Sequence, residues 1–222
     1  PIQNEDLFLM AEKQITVDYY FDYSCPWTYL SYKRLNQTVL RTASLIRWKP
    51  IEISYVRSLI KKKEIEIPQA LSNYRTKDLQ DWATYCSLKI EIQKDTDHCI
   101  ARKALQGAFL AIQKDKIYEY SGLVFKSYFG ECLDISNIEI LLNIGKKSGL
   151  DEQEFLSIIE TSPFDKKLKS NAEELIDRGG FGSPTMFVED KMFFGNDRMN
   201  LVEFAIGQAS GKILVIPGQH NS

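Results

Sequence analysis

The chain is poor in the residues that build metal centres and disulfide frameworks. Its 222 residues include two histidines and four cysteines, and no two of the cysteines form a C-x-x-C pair. Four separated cysteines in a chain of this size do not make a disulfide scaffold, and a C-x-x-C redox centre is excluded. His98 stands beside acidic residues and Cys99, but neighbours along a chain rarely converge on one ion, so no metal site is predicted.

Long apolar runs and a strong excess of one charge are also missing. The formal net charge is −2, and no segment is apolar over the length that crosses a bilayer. Proteins that bind nucleic acid or anionic membranes carry a concentrated basic excess, so neither partner is expected. The short basic run Lys61–Lys63 is followed by Glu64 and is interpreted as a solvated surface. The cysteine usage favours the cytoplasm, with a cleaved signal left open.

The first fifty residues have the pattern of a strand, a helix and a second strand. Ile15–Tyr23 is rich in β-branched and aromatic residues, which is typical of a buried strand. Cys25 and Pro26 follow, and then apolar residues recur at helical spacing. Because proline fits the first helical position, Cys25 is predicted to be the N-cap residue. Ser44–Ile51 is predicted as the second strand, which completes a βαβ unit.

The pattern becomes helical in the middle of the chain, from about Pro68 to Ile176. The helices predicted there include Tyr118–Phe129, Ile138–Lys147, Glu152–Glu160 and Asp165–Asp177. The elements predicted after them are the strands Ser183–Val188 and Lys191–Phe194 and the helix Met199–Gln208.

A β-α-β half and a β-β-α half thus flank a helical insertion. This is the layout of an α/β thioredoxin fold split by an all-α domain. The predicted boundaries place residues 12–55 and 179–211 in the thioredoxin-like domain and residues 56–178 in the insertion.

Cys25 is the first candidate for chemistry. A thiol at a helix N-terminus faces unpaired N–H groups and the positive end of the helix dipole, both of which favour the thiolate. We therefore expect the pKa of Cys25 to fall from about 8.5 into the range of about 3.5–7.5. The competing interpretation is a small buried hydrophobe, which is the usual role of a free cysteine. Structural roles of this kind are expected for Cys86, Cys99 and Cys132.

Two later segments are candidates for holding a peptide-like ligand. A cis bond between Ser183 and Pro184 would leave the backbone of Ser183 free to pair with an extended thiol peptide. In the turn after the last strand, Arg198 and free N–H groups suit a carboxylate, while Asp197 suits an ammonium group. A γ-glutamyl group carries one of each. The alternative for this turn is an ordinary helix cap with a surface ion pair.

Together these segments resemble the DsbA-like superfamily. The motifs that carry the resemblance are YFDYSCPWTYL at residues 20–30, RWKP at 47–50, GSPTMFV at 182–188 and FGNDRM at 194–199. Within the superfamily they are similar to the branch of 2-hydroxychromene-2-carboxylate isomerases and kappa-class glutathione transferases. The similarity covers nearly the whole chain, including the helical insertion.

The resemblance implies glutathione as the cofactor and a role for each matching residue. Cys25, the implied catalytic residue, stands where the branch usually has a serine whose hydroxyl stabilises the glutathione thiolate. The backbone of Ser183 would pair with the cysteinyl unit of glutathione, the Asn196–Arg198 turn would hold its γ-glutamyl end, and Lys49 would face the substrate. The residues implied to contact glutathione or substrate are Pro26, Trp27, Thr28, Lys49, Ser183, Pro184, Asn196, Asp197 and Arg198.

Two departures from the family pattern bear on the chemistry. Cysteine in place of the serine is similar to the thiol oxidoreductases, yet Thr28 occupies the position of their resolving cysteine. An intramolecular redox disulfide at this site would therefore need a distant partner. The branch also often carries an asparagine in a G-N-x-P stretch, and the segment Lys63–Pro68 has none.

Three functional hypotheses stay open at this point. The leading one is a glutathione-dependent isomerase or transferase, similar to 2-hydroxychromene-2-carboxylate isomerase, that adds a thiol to a small electrophilic substrate. The second is a DsbA-like thiol-disulfide oxidoreductase in which Cys25 alone forms mixed disulfides. The third is a non-enzymatic module that binds thiol peptides. The resemblance also implies a homodimer.

Overall fold

The computed structural model describes residues 14–61, 67–92 and 100–211. The features of the sequence analysis that lie outside these ranges are His98, Cys99, His220, Lys62, Lys63 and residues 64–66. A four-stranded mixed sheet forms the centre of the structure. Its strands are β1 Thr16–Phe21, β2 Leu45–Pro50, β3 Thr185–Val188 and β4 Lys191–Phe194.

The strands lie in the order β2-β1-β3-β4, with β1 and β2 parallel and the other neighbours antiparallel. β1 is therefore paired on both sides. Its pleat sends Val17, Tyr19 and Phe21 to one face of the sheet and Tyr20 to the other, and all four are fully buried. Burial on both faces explains why β1 is a nearly continuous run of apolar and aromatic residues.

Helices cover both faces of the sheet and fill the segment between β2 and β3. The described helices are α1 Pro26–Arg41, α2 Ile53–Leu59, α3 Gln69–Tyr85, α4 Arg102–Gln113, α5 Ile117–Phe125, α6 Ile138–Lys147, α7 Glu152–Thr161, α8 Asp165–Asp177 and α9 Met199–Ser210. The layout agrees with the predicted α/β thioredoxin fold, and α6 and α8 have the predicted boundaries. No helix of the described ranges combines the length and apolar character needed to cross a membrane.

The sheet separates two apolar cores. The larger joins one face to α1, α9 and the helices α4–α7. The smaller consists of Tyr20, Ile51, Val56, Ala172, Leu175 and Phe187. Through it α2 and α8 pack on the opposite face. α8 lies at the end of the segment predicted as the insertion, yet it forms part of the layer against the sheet.

Two local features differ from the sequence prediction. The short helix α2 has no counterpart among the predicted elements. The predicted helix Tyr118–Phe129 changes at Lys126 into a π-helix that runs to Gly130. This wider turn sets Phe125 and Phe129 against the same ring, that of Tyr29, with centroids 5.3 and 5.9 Å away.

Gly107 in α4 allows two aromatic side chains to approach the helix backbone. A Cβ at position 107 would lie 2.4 Å from Tyr120 Oη and 2.6 Å from Phe155 Cε2. We predict that Gly107→Ala lowers the free energy of unfolding by about 1–3 kcal/mol, because overpacking outweighs the roughly 1 kcal/mol of helix propensity gained. Urea unfolding followed by circular dichroism measures the change.

Gly130→Ala is the matched control. The nearest atoms to a Cβ there, on Lys126 and Lys89, lie 3.7 and 3.9 Å away, which is ordinary van der Waals contact. Its stability is expected to stay within about 0.5 kcal/mol of the wild type. If Gly107→Ala were as stable as Gly130→Ala, the packing described here would be wrong.

Candidate active site

Cys25 is the N-cap residue of α1, as the sequence predicts. Its backbone is extended, with φ −97° and ψ 114°, and Pro26 begins the helix. The carbonyl oxygen of Cys25 accepts the amides of Thr28 and Tyr29 at 3.1 and 3.3 Å. The thiol therefore stands at the positive end of a 16-residue helix.

The peptide bond between Ser183 and Pro184 is cis and lies against this helix start. Cys25 Sγ donates to the carbonyl oxygen of Ser183 at 3.1 Å, across 158 positions of sequence. The two segments that the sequence singles out independently thus meet in the structure. They meet at the ends of β1 and β3, which are neighbours in the sheet.

Two buried hydroxyl groups, those of Ser183 and Thr28, stabilise this junction. Ser183 Oγ accepts the amide of Asp22 at 3.0 Å and lies 2.6 Å from Thr28 Oγ1. Thr28 is fully buried. The Thr28 hydroxyl is therefore hydrogen-bonded to the Ser183 side chain, and it stabilises the site from within the protein interior.

The carboxylate of Asp22, a residue that sequence reasoning did not select, joins the loop before Cys25 to the start of α2. Its Oδ1 accepts the amide and the hydroxyl of Ser24 at 2.7 and 2.8 Å, and its Oδ2 accepts the amide of Ile53 at 2.6 Å. Asp22 is 1% exposed, and burial raises its pKa against the opposing effect of these hydrogen bonds. The available signal was an acidic residue at the end of an apolar strand, three positions before Cys25.

A cavity of about 490 Å³ opens beside Cys25. Its apolar wall includes Trp27, Ile53, Ile100, Tyr128, Phe181 and Phe194. Its polar groups include Ser24, Cys25, Ser54 and Ser183. Pro26 and Gly182 complete the wall beside Cys25 and Ser183, and Arg57 is the single formally charged residue among the described residues that line it.

The turn Asn196–Arg198 adjoins the cis peptide but does not line this cavity in the described structure. The amide of Gly195 donates to the carbonyl oxygen of Pro184 at 3.0 Å, and the backbone of Gly195 has φ +105°. Asn196 is buried, and its backbone and side-chain oxygens accept Arg34 Nη1 at 2.6 and 3.2 Å. Asp197 and Arg198 are half-exposed and pair with each other at 3.5 Å.

Lys49 lies apart from the other predicted residues. Its Nζ contacts both carboxylate oxygens of Glu174 on α8, at 2.9 and 3.1 Å, and Tyr20 donates to the same carboxylate at 2.7 Å. Lys49 is not among the described residues that line the cavity. Its charge is engaged in holding α8 to the sheet.

The other described cysteines are away from the cavity. Cys86 is partly buried against the larger core, and Cys132 is exposed and donates to Glu91 at 3.2 Å. No group of three side chains suited to hold a metal ion occurs within the described ranges.

Comparison with known proteins identifies the family. The model of the DsbA-like thioredoxin domain matches residues 16–207. The chain belongs to the DsbA-like thioredoxin family. It is 26% identical over 199 residues to 2-hydroxychromene-2-carboxylate isomerase of Pseudomonas putida, covering 86% of this chain and 94% of that one. These likenesses agree with the resemblance to the isomerase branch that the sequence motifs carry.

Solved structures agree with this assignment. A structure of 2-hydroxychromene-2-carboxylate isomerase matches with a TM-score of 0.77 and 25% identity, over 87% of this chain and 95% of that chain. The cytosolic disulfide reductase DsbM from Pseudomonas aeruginosa, solved with GSH, matches with a TM-score of 0.61 over 88% of this chain and 98% of that chain. At 13% identity, the second likeness shows the fold alone.

The DsbA-like site of this chain holds Cys25 as a neutral thiol. Burial raises its pKa above the ordinary value of 9.0, and the charge of Asp22 adds to the increase. Hydrogen bonds from the Thr28 side chain and from the amides of Thr28 and Trp27 lower the pKa but do not compensate. The sequence-based expectation of a lowered pKa is therefore wrong, because desolvation at this helix start outweighs the dipole.

We predict that Cys25 reacts slowly with iodoacetamide at neutral pH and that its rate still rises above pH 9.0. The folded chain holds this proton more tightly than the unfolded chain, so the associated stability is present below the ordinary pKa and is lost as pH rises through the raised one. Peptide mass spectrometry resolves the labelling of Cys25 from that of Cys86 and Cys132.

Thr28→Val sharpens the labelling experiment. It removes the side-chain hydrogen bond that lowers the Cys25 pKa, so the pH profile should move to higher pH. A Cys25 rate that reaches its plateau below pH 8.0, about one unit under the ordinary value, would contradict the assigned protonation state.

Asp22→Asn tests the carboxylate that ties the site together. An amide presents one acceptor oxygen, so its NH₂ group must face the amide of either Ser24 or Ile53, leaving two donors opposed. We expect a loss of about 2–3 kcal/mol in the free energy of unfolding, measured by urea denaturation. Asp151→Asn is the control, because Asp151 caps α7 at an exposed position through one bond to Glu154, and its loss should stay near 1 kcal/mol or below. Equal losses of unfolding free energy in Asp22→Asn and Asp151→Asn would contradict the role assigned to Asp22.

Proposed function

We propose that this enzyme is a glutathione-dependent isomerase or transferase, similar to 2-hydroxychromene-2-carboxylate isomerase, acting on a small electrophilic substrate. One observation carries the proposal. The thiol of Cys25, at a helix N-terminus, lies 3.1 Å from the carbonyl oxygen of Ser183 beside a cavity with a largely apolar wall. The relatives named as isomerases support the reaction class, and the DsbM structure solved with GSH supports the choice of thiol.

The residues beside Cys25 fit glutathione. The cis bond at Pro184 places the backbone of Ser183 beside the thiol, where an extended peptide could pair with it. The cavity volume of about 490 Å³ is in the range of small-molecule sites. In the adjoining turn, the half-exposed side chains of Asp197 and Arg198 carry the charges that a γ-glutamyl ammonium and carboxylate require. Asn196 would contribute through its backbone amide, because its backbone and side-chain oxygens both accept Arg34.

When bound, glutathione would supply a thiol that adds to a conjugated double bond of the substrate, permits rotation about the former double bond, and is then eliminated. The protein supplies the hydrogen-bond donors and the apolar environment around the reacting sulfur. Cys25 keeps its proton on Sγ, because its pKa is raised, and it can donate that proton in a hydrogen bond to an anionic sulfur. The amides of Trp27 and Thr28 at the helix start favour negative charge at the same place. The rings of Phe181 and Phe194, with centroids 4.6 Å apart, give the wall of the cavity an apolar surface.

The raised pKa gives Cys25 the role of the serine that the branch usually carries. A neutral thiol and a hydroxyl both donate one hydrogen bond, the thiol more weakly. Thr28 carries a hydroxyl group in place of a thiol and is engaged with Ser183, so Cys25 has no disulfide partner at that position. The raised pKa is the observation that favours the isomerase or transferase over the single-cysteine oxidoreductase. The homodimer and the cytoplasmic location stay predictions.

The second candidate function, a single-cysteine thiol-disulfide oxidoreductase, is favoured by the presence of a thiol at residue 25. In that function Cys25 would attack a disulfide and retain glutathione or a client as a mixed disulfide. The rate of such an attack depends on the thiolate fraction, which the raised pKa of Cys25 keeps small at neutral pH.

Substitution of Cys25 separates the two functions. We predict that Cys25→Ser keeps glutathione affinity and isomerase turnover within about threefold of the wild type, because serine retains a donor. Cys25→Ala should lose about tenfold in turnover, the effect of one hydrogen bond to a charged group. Calorimetry with glutathione and turnover of 2-hydroxychromene-2-carboxylate are the measurements, and Cys132→Ser, at an exposed thiol, is the control.

Three results would count against the proposal. Failure to bind glutathione at high concentration would show that glutathione is not the cofactor. Loss of activity in Cys25→Ser, together with a stable glutathione adduct on Cys25 after exposure to oxidised glutathione, would favour the oxidoreductase. Glutathione binding with no turnover in any variant would favour the third hypothesis, a non-enzymatic module that binds thiol peptides.

A further inference from the structure

We propose that Arg34 is a positioning residue for glutathione, which fixes the Asn196–Arg198 turn and couples it to helix α3 of the helical insertion. The inference rests on the proposed function for the assignment of glutathione as the ligand of this turn. It adds a residue that is not among those described as lining the cavity, and it gives α3 a part in glutathione binding.

The turn is held to α1 through Arg34. Arg34 Nη1 donates to the backbone oxygen of Asn196 at 2.6 Å and to its side-chain oxygen at 3.2 Å, across 162 positions of sequence. Asn196 is 3% exposed, so water is a poor substitute for this donor. Because α1 also carries Cys25 at its start, Arg34 fixes the turn relative to the thiol. One glutathione molecule has to contact both places.

The position of the charged side chains in the turn follows from its backbone. Asn196–Arg198 form one turn of 3-10 helix between Gly195 and α9. A Cβ on Gly195 would lie 2.7 Å from Asp197 Oδ1, so this carboxylate is folded close to the backbone of the turn. A shift of the Asn196 carbonyl group would therefore displace Asp197, the group that suits the γ-glutamyl ammonium.

Helix α3 holds the guanidinium group of Arg34 in place. Arg34 Cζ lies 5.1 Å from the ring centroid of Trp82 and 5.9 Å from that of Tyr85. Both rings belong to α3, which packs on α1, and they meet edge-on with centroids 5.5 Å apart. Cation–π contacts within about 6 Å stabilise a guanidinium over a ring. The rings thus favour the orientation in which Arg34 donates to Asn196.

Glutathione and cysteinylglycine are the probes, because they share the thiol and the glycine end and differ by the γ-glutamyl group. By calorimetry with each thiol alone, wild-type protein should bind glutathione at least about tenfold more tightly, the effect of a hydrogen bond to a charged group. Arg34→Met keeps an apolar stem but no donor. It should lower glutathione affinity by about tenfold and leave cysteinylglycine affinity within about twofold. Arg34→Lys keeps a charged donor and should recover part of the loss.

Substitution of the rings tests the coupling to α3. Trp82→Leu should lower glutathione affinity by about threefold, the effect of one cation–π contact. It should have no further effect in the Arg34→Met protein, because the ring acts through the guanidinium group. Tyr85→Leu repeats this test at a residue that is 74% exposed, where no core packing is lost.

Arg41→Met is the matched control, the same substitution two turns further along α1. Arg41 pairs with Glu203 of α9 at 2.6 Å and has an exposed side chain, so the variant should keep the preference for glutathione. An Arg34→Met protein that keeps this preference overturns the proposal. Equal losses of affinity for both thiols also overturn it, because they indicate a general loss of structure. Ring substitutions with the same effect in both backgrounds overturn the role of α3.

The outcome is distinguishable from that of the proposed function. A wild-type protein that does not bind glutathione overturns both proposals. A preference for glutathione that depends on Arg34, found in a protein without isomerase or transferase turnover, overturns the proposed reaction alone and supports the role of Arg34.

Discussion

The candidate active site depends on one buried carboxylate, that of Asp22. It lies where β1 ends and accepts hydrogen bonds from Ser24, one residue before Cys25, and from Ile53, the first residue of α2. The backbone amide of Asp22 also donates to Ser183 Oγ. A charge buried in this way is unfavourable unless its acceptor sites are filled. Here the carboxylate oxygens fix the loop of Cys25 to the start of α2, and the backbone amide of the same residue fixes both to the Ser183 side chain.

The same junction determines the state of the thiol. Burial opposes a negative charge on Cys25, and the charge of Asp22 opposes it further, so the pKa of the thiol is raised. The helix start alone would have had the opposite effect. The position that holds the resolving cysteine in related oxidoreductases is occupied by Thr28, whose hydroxyl supports Ser183. The contact of Thr28 with Ser183 and the raised pKa of Cys25 therefore both favour a thiol that donates a hydrogen bond.

Features set by local sequence could be predicted, and those set by distant partners could not. β1 is apolar on both faces, and Pro26 marks the start of α1, so the position of Cys25 is evident from the chain. α2 has seven residues, and the carboxylate at its N-terminus comes from Asp22, just after β1 and 31 positions away, which no local pattern reveals. The pairing of Lys49 with Glu174 and of Asn196 with Arg34 is likewise decided across more than a hundred residues.

The groups around the thiol act in opposite directions on negative charge. Burial of Cys25 and the carboxylate of Asp22 both oppose a charge on its own sulfur. The backbone amides at the N-terminus of α1 favour an anion beside it, and Arg57, an exposed cation, lines the wall of the same cavity. An external anion therefore gains from the helix start and from long-range attraction to Arg57 without bearing the full cost of burial, whereas the thiol of Cys25 keeps its proton.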